Sequence, residues 1–161
     1  MAQHLKDYQP ARGVDQLTLK VSSTAFTSIG IIPSKYTCDG ANINPPLDIE
    51  GIPDDTASLA LIVDDPDAPS GTFTHWLLWN IPLIHHLPED QAPGIQGTNG
   101  FRQQGYGGPC PPSGTHHYHF KVYALDAPID LAPGASREEL EQAMAGHIIG
   151  YGELLGLYKR Q

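Results

Sequence analysis

From Leu17 the chain alternates, with Leu17, Leu19 and Val21 set against Thr18, Lys20 and Ser22, and a period of two predicts a half-buried strand. Two later runs lose the alternation. Residues 58–63 (SLALIV) and 73–81 (FTHWLLWNI) are apolar nearly throughout, as in strands covered on both faces and therefore central. Residues 116–125 (HHYHFKVYAL) return to alternation: His116, Tyr118, Phe120 and Val122 share a face that should turn inward, while His117, His119 and Lys121 form a polar outer face. Ser136 followed by Glu139 makes a capping box, and Leu140, Ala143, Met144 and His147 repeat at helical spacing as far as Gly146, predicting one short helix with its Leu–Met stripe in the core. Residues 149–158 are apolar but broken by Gly150, Gly152 and Gly156, as in a strand with a bulge or a close backbone approach.

The connections are long and rich in turn formers. Residues 32–53 carry Pro33, Cys38-Asp39-Gly40, Asn42, Asn44 and Pro45-Pro46. Residues 94–114 carry Gly97, Gly100, Gly105, Gly107 and Gly108 ahead of Pro109, Pro111 and Pro112, which excludes a helix or an inner strand. Residues 1–13 are polar without a period and predict an N-terminal arm ahead of one domain at 14–161. Several strands and one or two short helices in a single domain predict a mainly β fold, an antiparallel β sandwich.

Composition narrows the class. The 161 residues suffice for one domain with its own core, and 17 Gly and 15 Pro, about a fifth of the chain, demand many turns. Nine basic against eighteen acidic residues give a net charge of −9, which disfavours nucleic acid and anionic membrane surfaces. No run of 18 apolar residues occurs, and the opening MAQHLKDYQPARG has neither an apolar segment nor a cleavage site, so no membrane span is expected and the expected location is cytoplasmic. Cys38 and Cys110 are too few for a disulfide framework or a cysteine zinc site, and the expectation is two reduced thiols.

Asp64-Asp65-Pro66-Asp67-Ala68-Pro69 places three carboxylates where the strand SLALIV ends. His75, inside an apolar strand, must find a hydrogen-bond partner, and a carboxylate is the expected one. His116-His117-x-His119 and His85-His86 lack the following Glu of a cupin-like site and the H-E-x-x-H of a zincin, so neither a metal nor a cofactor is expected. Gly105-x-Gly107 is followed by Cys110 where a dinucleotide fingerprint needs glycine. There is no Walker A run and no G-x-S-x-G elbow, so neither of these enzyme signatures is present.

Asp65-Pro66-Asp67-Ala68-Pro69, Thr74-His75-Trp76, Tyr106-x-Gly108-Pro109-Cys110-Pro111-Pro112 and Gly114-Thr115-His116-His117-Tyr118 together resemble the signature of the phosphatidylethanolamine-binding protein family. Ile32-Pro33-x-x-Tyr36-Thr37-Cys38-Asp39-Gly40 with Asn44-Pro45-Pro46-Leu47 resembles its bacterial and archaeal Raf-kinase-inhibitor-like branch. The resemblance implies a large sheet packed on a smaller one and an anion pocket at one end of the strands. Carried across by position, it implies a ligand site of Asp65, Asp67, Pro69, His75, Gly108, Pro111, His116 and Tyr118. Gly108 would let a ligand approach the backbone. The Ala68-Pro69 bond would be cis. Two imidazoles and a phenol supply donors to phosphate oxygens, and the carboxylates orient the rings or receive an ammonium, so the implied ligand is a phosphate-bearing small molecule or lipid headgroup such as phosphoethanolamine. The competing readings are a kinase or protease inhibitor acting through the pocket rim, and a phospho-ester hydrolase using Asp65, His75 and His116 with Cys110 as nucleophile. A homodimer is the oligomer to expect first.

Overall fold

The two unbroken apolar runs lie side by side at the centre of a large sheet. The computed structural model describes residues 17–160. The strands are β1 (Leu17–Thr18), β2 (Lys20–Ser22), β3 (Gly30–Ile31), β4 (Leu47–Glu50), β5 (Ser58–Asp65), β6 (Phe73–Ile81), β7 (His86–Leu87), β8 (Ile95–Gln96), β9 (His116–Leu125) and β10 (Ile148–Tyr158). One helix, α1 (Arg137–Met144), and a 3-10 turn at Ser34–Tyr36 complete the described elements. The large sheet runs β1-β10-β9-β5-β6-β8, with β3 also on β10, and the small sheet runs β2-β4-β7. Every long strand pairs antiparallel; only the two-residue pieces β1 and β3 run parallel to β10. The expected arm at 1–13 falls outside the described residues. No helix among the described residues is long and apolar enough to cross a membrane.

β5 shows no alternation because both its faces are buried. Leu59, Leu61 and Val63 join Trp76, Leu78, Phe120 and Val122 against Val21, Leu47, Ile49 and Leu87 of the small sheet. On the opposite face Ala60 and Ile62 join Leu77, Trp79, Tyr123 and Leu125 against Leu140 and Met144 of α1. The helix begins at the predicted capping box: Glu139 N donates to Ser136 Oγ, and Ser136 N donates to Glu139 Oε1 at 2.9 Å. β10 carries the expected irregularity between Ile148 and Gly150, and Gly152 lies so close to the Leu19 backbone that a side chain would clash.

The two cysteines are not free thiols. Cys38 and Cys110, 72 residues apart, form a disulfide with their Cα atoms 5.4 Å apart. The reason is loop packing, on which cysteine number is silent. The 33–46 loop and the 106–112 loop lie against each other, Cys38 N donating to Pro109 O at 3.1 Å and Tyr106 OH to Tyr36 O at 2.7 Å. Closing so large a loop restricts the unfolded chain by roughly 4 kcal/mol in the chain-entropy account.

Lys121 is also placed otherwise than its alternation suggests, being only 1% exposed. The face it occupies is covered by α1 rather than by water. Its Nζ lies 2.8 Å from Asp64 Oδ2, and Arg137 of α1 brings Nη2 to 2.9 Å from the same oxygen. Arg137 also reaches Thr74 Oγ1 and Glu141, so one fully buried carboxylate ties β5, β6, β9 and α1 together. Burial pulls the Lys121 pKa down, with the Asp64 charge working in the opposite direction. Removing the shared anion leaves Lys121 without its carboxylate partner in the interior and Arg137 with Glu141 in place of Asp64. Asp64→Leu should therefore cost about 3–5 kcal/mol in urea denaturation. Lys121→Met leaves Asp64 paired with Arg137 and should cost less than half as much. Equal losses for the two variants would contradict this ranking.

Candidate functional site

The inner face of the large sheet extends past the small one, and there a cavity of about 170 Å³ opens. Its floor is strand. The period of two on β9 directs His116 and Tyr118 to the same side, β5 contributes Asp65 from its last position, and β6 contributes Phe73 and His75. Its roof is loop: Ala68 and Pro69 from the β5–β6 turn, Phe101, and Cys110, Pro111 and Pro112. Six of the eight implied residues thus meet around one cavity. Asp67 and Gly108 are not among those lining it.

Asp65 is the hub. Its Oδ2 accepts from His116 Nδ1 at 2.6 Å, both side chains being almost fully buried, and its Oδ1 accepts from Asp67 N at 2.8 Å. With Nδ1 fixed as donor, none of the described hydrogen bonds involves Nε2 of His116. Asp67 turns to the outer side, where its Oδ2 accepts from both the backbone N and the ring Nδ1 of His117 at 2.8 and 2.6 Å. Partial burial pushes the Asp67 pKa up, but the His117 hydrogen bonds outweigh it and hold the carboxyl below its ordinary range. His119 pairs in the same way with Glu153 at 2.7 Å.

The turn after β5 needs no cis bond. All described peptide bonds are trans, including Ala68-Pro69. The bend is made by the Asp65 side chain capping Asp67 N, and then by a β-turn in which Gly71 N donates to Ala68 O at 3.1 Å. Pro69 occupies the second position of that turn, where its fixed φ serves with a trans bond.

His75 reaches the cavity through a bulge. Val63 pairs with Trp76 and Asp64 with Thr74, so His75 is an extra residue between them. Its partner is not a carboxylate: Nδ1 donates to Gly107 O at 2.6 Å, and Gly107 N donates back to His75 O at 3.0 Å. The buried carboxylate of the site belongs to His116 instead, because the bulge swings His75 toward the glycine loop. Burial drives the His75 pKa down, against the opposing pull of the Gly107 carbonyl and the Asp65 and Asp64 charges, so the ring is neutral near pH 7. Phe73, Phe101 and Tyr118 pack edgewise around it at 4.9, 5.7 and 5.3 Å between centroids.

Tyr118 is 1% exposed, and its hydroxyl has no hydrogen-bond partner among the described residues. Burial, with the Asp65 and Asp67 charges, raises its pKa and keeps the phenol protonated. Gly108 is closely packed against the 33–46 loop. Its N donates to Asn42 Oδ1 at 2.8 Å, and a Cβ there would stand 2.5 Å from Tyr36 O. The residues that sequence reasoning missed are the aromatic walls. Phe73 was visible as the first apolar residue of its strand, whereas nothing local marks Phe101, 44% exposed in a glycine loop, as a wall.

Comparison with known proteins agrees with this architecture. The family model for phosphatidylethanolamine-binding protein matches residues 22–159. The UPF0098 protein PH1269 of Pyrococcus horikoshii is 57% identical over 160 residues, covering 92% of this chain and 80% of its own. A UPF0098 protein of Pyrococcus abyssi is 57% identical over 154 residues, covering 89% and 86%. Among solved structures, a phosphatidylethanolamine-binding protein homolog from Chlamydia trachomatis superposes with a TM-score of 0.86 at 40% identity, covering 89% of this chain and 99% of that one. E. coli YbcL, described as a new member of the mammalian phosphatidylethanolamine-binding protein family, superposes with a TM-score of 0.82 at 30% identity, covering 89% of this chain and 99% of that one.

The depressed pKa of His75 has a measurable sign. The unfolded chain takes up this proton near pH ~6.5, and the folded state resists it. The stability contributed by the neutral ring is full above that pH and is lost as pH falls through the folded-state value. Between pH 6.5 and 5 the parent should therefore lose more stability than His75→Gln in urea titrations at stepped pH. Parallel pH slopes would show that the ring titrates as in water.

Proposed function

The chain belongs to the phosphatidylethanolamine-binding protein family, and we propose that its pocket binds a phosphate-bearing small molecule or lipid headgroup, phosphoethanolamine being the simplest form. The observation that carries the reading is the Tyr118 hydroxyl: buried, protonated and unpartnered on the cavity wall. An unpaired buried donor costs about 1–3 kcal/mol, which an acceptor oxygen from a ligand would recover. His116 adds a second polar contact, since Asp65 accepts from its Nδ1 and orients the ring. The apolar walls of Phe73, Phe101, Pro69 and Pro111 suit the carbon portion of such a ligand.

The reading is one of binding without turnover. Cys110, the nucleophile of the hydrolase alternative, has its sulfur engaged in the disulfide. His75, one of its acid–base candidates, is committed to a backbone carbonyl through Nδ1. Both points support a binding site over a catalytic one.

Calorimetric titration with phosphoethanolamine and with inorganic phosphate tests the reading near neutral pH. The parent should bind both, with phosphoethanolamine the tighter. Tyr118→Phe should bind either ligand ten- to a hundred-fold more weakly, the loss of about 1.5–3 kcal/mol expected of a hydrogen bond to a charged group. Because the hydroxyl has no partner in the protein, the thermal midpoint of the free variant should not fall. Undiminished affinity in Tyr118→Phe, or no heat with either ligand, would overturn the proposal.

A further inference from the structure

We propose that the Cys38–Cys110 disulfide is a redox gate on the pocket, holding its roof in the binding conformation when oxidised and releasing it when reduced. The inference rests on the phosphate-binding reading for its effect on affinity, and on the disulfide's position for its effect on the loop.

The roof segment is tethered unevenly. As far as Pro109 it is stitched down by hydrogen bonds. Gly107 exchanges two with His75, Gly108 N donates to Asn42 Oδ1, and Pro109 O accepts from Cys38 N. From Cys110 to Thr115, where β9 begins at the next residue, none of the described hydrogen bonds involves the chain. Pro111 and Pro112 have no N–H to give. Within that stretch the disulfide is the sole cross-link, and it sits at the residue where the hydrogen-bonded portion ends. Cys110, Pro111 and Pro112 all line the cavity, so the first half of the unbonded segment is part of the cavity wall.

The anchor at the other end is firm. Cys38 lies in a loop held by Thr37 N donating to Ser34 O, by Tyr158 OH donating to Asp39 Oδ2 at 2.6 Å, and by Arg160 on Asp39 Oδ1. Cutting the disulfide therefore frees the roof and not the anchor. Both cysteines are partly exposed, so a reductant can reach them. The chemistry is ordinary thiol–disulfide exchange with a dithiol. One reductant thiolate attacks a protein sulfur, breaking the S–S bond and forming a mixed disulfide, and the second reductant thiol displaces the protein thiolate. Two electrons pass to the protein. The products are Cys38 and Cys110 thiols, carrying the two protons of the dithiol, and the oxidised reductant.

Binding to a roof that must first be ordered is weaker than binding to one already in place. Phosphoethanolamine and inorganic phosphate should each bind about tenfold or more weakly after treatment with dithiothreitol under anaerobic conditions, and reoxidation should restore the original affinity. The Cys38→Ser/Cys110→Ser double variant should match the reduced protein and ignore dithiothreitol. Hydrogen exchange supplies a readout that needs no ligand: the amides of Cys38 and Gly108, which bridge roof and anchor, should exchange faster on reduction, while those of β5 and β9 should not. Faster exchange with recoverable loss of affinity supports the gate. Unchanged exchange and affinity would make the disulfide a fixed staple and overturn it. If the oxidised protein binds neither probe, the phosphate reading and the gate's effect on affinity both fail, and the exchange data alone decide whether the disulfide governs the roof.

Discussion

Two adjacent carboxylates are buried at the end of β5, and consecutive residues of a strand point to opposite faces. Asp64 faces the α1 side, and Asp65 faces the side between the sheets where the cavity opens. Neither can stay ionised there without a partner. β9 supplies both from one strand: Lys121 to Asp64, and His116 to Asp65. Their odd separation of five places the two partners on opposite faces. The pairing of Asp64 with His119 in register lets both contacts form together. A one-residue slip of β9 would turn Lys121 toward the small sheet and Tyr118 toward α1, breaking both ion contacts along with the apolar match. Register, core and pocket thus depend on one constraint.

The same arrangement explains why the site is rigid on one side and adjustable on the other. The floor is three strands fixed by ladders and by the Asp64 and Asp65 pairs. The roof is proline and glycine chain, with backbone bonds at one end only. Precision at His116 and Tyr118 comes from the sheet.

The fold was legible where a residue's surroundings follow from its own strand or helix. The central strands, the capping box, the β10 irregularity and the inward face of His116 and Tyr118 are all local patterns. What was not legible depends on something distant. Lys121 alternates like a solvent-facing residue, and only the docking of α1 turns that face into interior. His75 lies in a strand whose bulge adds one residue, so its partner changed from a carboxylate to the Gly107 carbonyl. Cys38 and Cys110 meet because two irregular loops pack together, a proximity no count of cysteines reveals. The bend at Pro69 was foreseen, but it is achieved by a side-chain cap and a trans turn. Resemblance to a family named together six residues that line one cavity, which periodicity alone could not, while the close approach of Tyr36 O to Gly108 follows from loop packing that no local pattern shows.

An unpartnered buried hydroxyl does not by itself mark a site. Thr56 Oγ1 is also buried without a partner, just ahead of β5, and it lines no part of this cavity. The two differ in what surrounds them. Thr56 sits in a tight turn closed by its own N donating to Pro53 O, where a stray hydroxyl is a tolerable cost of local geometry. Tyr118 sits in a core position where Phe would fill the same space without an unmet hydrogen bond, beside an imidazole whose orientation is fixed by a buried carboxylate. Three separate departures from the least-cost interior converge there: a lone phenol, a buried Asp–His pair and a strand bulge that brings in a second ring. Each would weaken a sandwich that needed only to fold, and all three face one cavity of about 170 Å³. Their shared direction, more than any one of them, is the physical argument behind the proposal of a polar guest in this cavity.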